Sequence, residues 1–345
     1  MMQFFGMLAA IGLTALCWGM YGPTLHFGRE DMHSPLRPFV CVGIAYFLIA
    51  VVVPLVLLLR GEKGQWTPRG VVWSLLAGVA GSLGALGVIL ALHFGGKPIY
   101  VMPLVFGGAP VINTLLSAAM NRAFDQLKAP FLAGLLLVIT GAVTVLVFKP
   151  QTVAPPAPAA VAAVADASLP VAEAAPRRTP EQKAERIVAV LLSVALAMFS
   201  WGSYGPVLHR GQAGMQGSRL RPLLCIGLAY FLIAVLVPLA LLVPLGDTGS
   251  WNTRGILWSI GAGSLGAVGA LGTILAFTLG GKPFTVMPIV FGCAPVINTL
   301  TTLALHETRL DSVSPFFLAG MLIVALGAAT VLAFGPRGHA PAKPA

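Results

Sequence analysis

Residues 99–120 read IYVMPLVFGGAPVINTLLSAAM, and the fold turns on this stretch. It is long and apolar enough to cross a bilayer as a helix, which takes about 20 residues. Its middle holds Gly107, Gly108 and Pro110: two residues with a free backbone and one that cannot donate a backbone hydrogen bond. The pattern predicts a broken helix, with the Asn113 amide at membrane depth one turn later. The stretch returns at 284–305 as FTVMPIVFGCAPVINTLTTLAL, where Gly292, Pro295 and Asn298 replace Gly107, Pro110 and Asn113. Paired interrupted helices in the two halves of a membrane chain point to a binding site near the midplane. Plain kinks against neighbouring helices would leave the same pattern.

Composition supports a membrane chain. Of 345 residues, 57% are hydrophobic and 9% charged, against about 25% charged in a soluble domain. A soluble globular class is excluded. The net charge of +10 comes from basic residues in short loops between apolar runs. There they set topology and meet anionic headgroups, so the partner is a lipid bilayer and no nucleic acid is expected. Cys17, Cys41, Cys225 and Cys293 all lie inside apolar runs and read as small hydrophobes, without disulfide or zinc spacing. The opening MMQFFGMLAA lacks a basic leader and reads as a retained first helix.

Apolar runs fall at 4–24, 38–59, 70–94, 99–120, 129–148, 187–207, 222–244, 255–279, 284–305 and 315–334, ten in all. The halves repeat each other. CWGMYGPTLH (17–26) matches SWGSYGPVLH (200–209), and RPFVCVGIAYFLIAVVVPL (37–55) matches RPLLCIGLAYFLIAVLVPL (221–239). GQWTPRGVVWSLLAG (64–78) matches GSWNTRGILWSIGAG (249–263), and all six tryptophans pair across the halves. An internal repeat of this size decides the fold class. The expectation is an all-α integral membrane protein of about ten transmembrane helices, arranged as two inverted five-helix repeats. The repeats span 1–148 and 187–335, with an Ala/Pro-rich disordered linker at 149–186 and a disordered tail at 336–345.

Inversion follows from the odd number of spans per repeat, and charge tests it. In the first repeat the loops after spans two and four carry Arg60, Lys63, Arg69, Arg122 and Lys128. Those after one and three carry Arg29, Arg37 and Lys97. In the second the bias reverses: Arg210, Arg219, Arg221 and Lys282 follow spans six and eight, against Arg254 and Arg309 after seven and nine. By the positive-inside rule both termini are cytoplasmic, in a plasma (inner) membrane. The basic linker residues Arg177, Arg178, Lys183 and Arg186 argue the other way, but long loops obey the rule poorly.

This odd-numbered duplication, with Gly-rich helices and the paired WGxYGP and VMPxVFGxAPVINTL blocks, resembles the drug/metabolite transporter superfamily and its ten-span EamA-like members. The resemblance covers both repeats and excludes the linker. It implies a central cavity between the repeats, alternating access and a small-molecule metabolite as substrate.

The candidate substrate-binding residues are Trp18, Tyr21, Asn113 and Thr114, with Trp201, Tyr204, Asn298 and Thr299 as their repeat partners. Trp18 and Tyr21 share a helix face and suit stacking, although an interfacial aromatic belt would look alike. A buried amide such as Asn113 needs a partner, whether substrate or a neighbouring helix. Gly107, Gly108, Pro110, Gly292 and Pro295 are the candidate helix-break or gating positions. His26 and His209 close the WGxYGP blocks as candidate proton-linked groups, while His33, His93 and His306 lack histidine partners. The stripes Ala77, Gly81, Ala85 and Ala262, Gly266, Ala270, widened by Gly84, Gly87, Gly269 and Gly272, read as close helix packing. Lys97, Lys282, Arg37 and Arg221 read as membrane-edge anchors. No Asp or Glu lies inside a span, which disfavours cation export and acid-based proton coupling. The expected function is movement of a small neutral or anionic metabolite, with a lipid-carrier flippase as the alternative. An integral-membrane enzyme is disfavoured, because no HExxH and no paired intramembrane carboxylates occur. No cofactor and no metal is expected, and the oligomeric state is not readable.

Overall fold

The computed structural model describes residues 2–96, 98–148, 180–305 and 314–336. Lys97, His306, Arg309, the tail from 337 and the linker from 149 to 179 lie outside the described residues. Among those described, the fold is all-helical, with ten helices long and apolar enough to cross a membrane. They are α1 (Met2–Met32), α2 (Arg37–Leu58), α3 (Pro68–His93), α4 (Pro98–Asn121) and α5 (Ala129–Val147). After the linker come α6 (Pro180–Gly214), α7 (Leu220–Leu242), α8 (Thr253–Thr278), α9 (Pro283–Leu305) and α10 (Pro315–Phe334).

Local chemistry starts several of these helices at matching positions. Thr67 Oγ1 accepts from Gly70 N ahead of α3, and Asn252 Oδ1 accepts from Gly255 N ahead of α8. Both side chains satisfy a backbone donor that the first turn leaves free. Each of α2 and α7 carries one π turn, at Leu48–Val52 and Leu232–Leu236. The π turns lie where the two helices meet. A Cβ on Gly43 would stand 2.7 Å from Val235, and one on Gly227 would stand 2.8 Å from Ala50.

The widest contacts run between the halves. Helix α1 lies antiparallel along α8: Thr14 Oγ1 bonds Gly269 O, Trp18 Nε1 bonds Gly266 O, and Asn252 Nδ2 bonds Asp31 O. Helix α6 lies along α3 in the same manner, through Trp201 Nε1 to Gly81 O and Thr67 Oγ1 to Gly214 O. The small-residue stripes of α3 and α8 are the grooves that admit these partners. A Cβ on Gly84 would stand 2.1 Å from the Trp201 ring, and one on Gly269 would stand 2.3 Å from that of Trp18. Helix α5 packs antiparallel on α10, with Gly134 beside Thr330 and Gly141 beside Val324.

Three expectations are corrected. First, α1 and α6 extend well past the apolar runs expected at 4–24 and 187–207, and Pro23 and Pro206 lie inside long helices. The turns beyond Pro23 are held by α8, where Gly28 approaches Ser259 and Gly255 and Asp31 meets Asn252. Second, α4 and α9 are continuous through Gly107, Gly108, Pro110, Gly292 and Pro295. Flanking helices support the proline-bearing turns, which is how membrane helices tolerate proline. The glycines serve close approach instead: a Cβ on Gly108 would meet Met198 of α6, and one on Gly292 would meet Val138 of α5. Third, α6 begins at Pro180, inside the stretch expected to be linker, and Arg186 donates to Phe94 O at 3.0 Å.

Candidate functional site

The repeated aromatic residues converge where the halves meet. Trp18 and Tyr204, from opposite repeats, pack edge to face with centroids 5.7 Å apart. Tyr204 is buried and its hydroxyl has no hydrogen-bond partner. Tyr21 packs half-buried against the same core, as do Trp18 and Trp201. Both indole N–H groups are spent on backbone carbonyls, so each tryptophan fixes a helix pair and has only its ring faces left for a ligand.

Tyr46 and Tyr230 were not anticipated. They stack with centroids 3.7 Å apart and planes 2° from parallel, against the α8 and α3 grooves at Gly266 and Gly81. Their signal was in the sequence: both stand in the repeated AYFLIAV block. The π turn that follows each one is a feature common at functional sites.

The two asparagines occupy different surroundings. Asn113 is fully buried, and its Nδ2 donates to Pro283 O at 2.9 Å, at the start of α9. Its Oδ1 has no partner, nor have the hydroxyls of Thr114 and Ser117 on the same helix. Asn298 is only half-buried, beside Gly22 of α1. Thr299 is buried and its hydroxyl donates to Pro295 O at 3.0 Å.

The asymmetry extends along the helices. At Asn113's end, Leu208, Met287, Phe291 and Ser117 are buried. Their repeat partners at Asn298's end, Leu25, Met102, Phe106 and Thr302, are all half-buried. Gln212 closes the first end further, donating to Ile274 O at 3.1 Å and to Thr278 Oγ1 at 2.7 Å. Arg210 lies 5.3 Å from the centroid of the Trp73 ring and donates to Met120 O. The histidines follow the same division. His26 is exposed, with Nε2 3.2 Å from Glu30 Oε1, whereas His209 is half-buried, its ring at 74° to that of Phe277 with centroids 5.1 Å apart.

Each end also carries a latch between the halves. At one end Glu62 accepts from Ser218 Oγ at 2.6 Å and from Arg219 N at 2.8 Å, and Arg221 Nη1 lies 3.3 Å from its Oε2. At the other, Asp247 accepts from Ser34 Oγ, from Arg37 Nε at 2.8 Å and from Gly249 N at 3.1 Å. Arg221 covers the Trp66 ring and Arg37 covers that of Trp251. Arg37 and Arg221, expected to be edge anchors, are thus bound to carboxylates. Burial alone would raise the Asp247 pKa, but the Ser34, Arg37 and Gly249 donors outweigh it and hold it below the usual carboxylate value.

No family profile matches the chain, and no curated protein matches it. Several solved structures do. One crystal structure, described only as that of a protein, aligns at a TM-score of 0.62 over 97% of this chain and 98% of its own, with 19% identity. At that identity the likeness shows a shared fold and carries nothing about activity.

Proposed function

We propose that the chain is a multi-pass inner-membrane transporter of the drug/metabolite kind. It moves a small neutral or anionic metabolite by alternating access between inverted repeats, with both termini cytoplasmic. The observation that carries the reading is the unequal state of Asn113 and Asn298. Two residues equivalent in sequence are buried and bonded at one end, half-exposed at the other. A near-symmetric chain in an asymmetric conformation has a second state available, in which the two ends exchange roles. The aromatic faces of Trp18, Tyr21, Trp201 and Tyr204, the acceptor oxygen of Asn113 and the hydroxyl of Thr114 suit an uncharged polar solute that carries hydrogen-bond donors.

The test is counterflow in proteoliposomes with labelled sugars, amino acids, nucleosides and organic anions. Uptake of one class, abolished in the Asn113→Leu/Asn298→Leu double variant while the protein stays folded, is the expected result. Full flux in that variant would remove the site assignment. No flux with any class, from folded protein, would count against transport of small metabolites.

A further inference from the structure

The two repeats differ in their histidines beside the Asp247 latch, and a cavity stands there. A pocket of about 160 Å³ opens at the end bearing the Asp247 latch. Leu36, Ile89, Leu90 and Leu245 form its apolar wall, and His33 and His93 bring it two imidazoles. These histidines come from separate elements, the loop after α1 and the last turn of α3. In the second repeat their positions are held by Gln216 and Thr278. There Gln212 reaches across to Thr278 and the Ile274 carbonyl and ties those groups together. The residue matching Gln212 in the first repeat is Arg29, and Ile89 and His93 face the pocket instead. Two histidines without repeat counterparts thus line one pocket.

We propose that this pocket binds a small carboxylic acid with an apolar body about the size of one ring. The volume sets the size, since an apolar cavity of about 150 Å³ accommodates benzene. The polar chemistry sets the head group. Asp247, on the pocket wall, already accepts from Ser34, Arg37 and Gly249, so its charge is compensated and it does not repel an anion as a bare carboxylate would. The imidazole N–H groups are donors, and a carboxylate is an acceptor-only partner for them. The site touches the loop after α1 and the loop after α7, which come from different halves. Occupancy therefore bridges the halves beside the latch.

The experiment uses the full chain in detergent with isotope-labelled histidine, titrated with benzoate and followed by NMR. The signals of His33 and His93 are identified by their loss in His33→Gln and His93→Thr. Both are expected to move along one saturating curve while that of His26 stays still. Benzyl alcohol, with the same ring and no charge, is expected to need at least about tenfold higher concentration. No saturable movement of either signal would overturn the proposal. Equal responses to the two probes would overturn the carboxylate assignment. The measurement requires no flux, so it stands or falls separately from the transport reading.

Discussion

Tyr46 and Tyr230 lie face to face with centroids 3.7 Å apart, and each is the other's counterpart in the internal repeat. The stacked pair joins the two halves at matching positions of the repeat. Removing one ring leaves a cavity at the centre of the interface between halves. Tyr46→Ala and Tyr230→Ala are each expected to cost about 3 kcal/mol. The double variant should cost less than the sum, by about 1 kcal/mol of ring–ring coupling. Thermal unfolding in detergent, read by tryptophan fluorescence, checks both figures.

The grooves that receive the tryptophans have no room for a methyl group. Gly84→Ala and Gly269→Ala would each drive a Cβ into the Trp201 or Trp18 ring, at an expected cost of about 2 kcal/mol. Adding Trp201→Leu to Gly84→Ala should recover part of that loss. Strictly additive losses, measured by the same unfolding assay, would show that the ring and the glycine do not compete for space.

The Asp247 latch has a definite pH dependence. Its carboxyl has a lower pKa folded than unfolded, so it stabilises the fold above the unfolded value of about 4. That contribution is lost as pH falls through the depressed folded value. Stability of the wild type should therefore fall in this acid window, and Asp247→Asn should flatten that part of the profile. At neutral pH the variant, which leaves Arg37 without its carboxylate, should be less stable by about 3 kcal/mol. A pH series of melting temperatures for both proteins decides it.

The two asparagine positions should differ in access to water. In a background with the four native cysteines replaced, Asn298→Cys should react with a water-soluble maleimide far faster than Asn113→Cys, at least about tenfold. Substrate that drives exchange between the two ends should narrow the ratio. Equal labelling without substrate would contradict the asymmetry of the ends.

Much of this architecture was legible in the sequence. Ten apolar runs became ten helices, because only a helix satisfies its own backbone in an apolar setting. The repeated WGxYGP blocks did bring Trp18, Tyr21, Trp201 and Tyr204 to one region. Proline misled at Pro110 and Pro295, which were read as breaks in helices that are continuous. Its local cost was visible, but the α6 surface at Met198 and Gly202 that packs on α4, and the α5 surface at Val138 that packs on α9, lie far away in sequence. The latches were hidden for a similar reason. Glu62 and Asp247 look like ordinary loop acids until Ser218 and Ser34 from the other half arrive beside them. The different burial of Asn113 and Asn298 had no sequence signal, since identical VINTL blocks surround both.

The crossing of partners, α1 on α8 and α6 on α3, bears on how the molecule is made. When the first half has left the ribosome, neither α1 nor α3 has met its main partner. The Gly81–Gly84 groove waits for Trp201 and Tyr204, and Trp18 waits for Gly266 and Gly269. The most extensive contacts therefore form only after the second half is synthesised. A first half standing alone would leave the α3 groove and the Trp18 ring without the partners that fill and seat them.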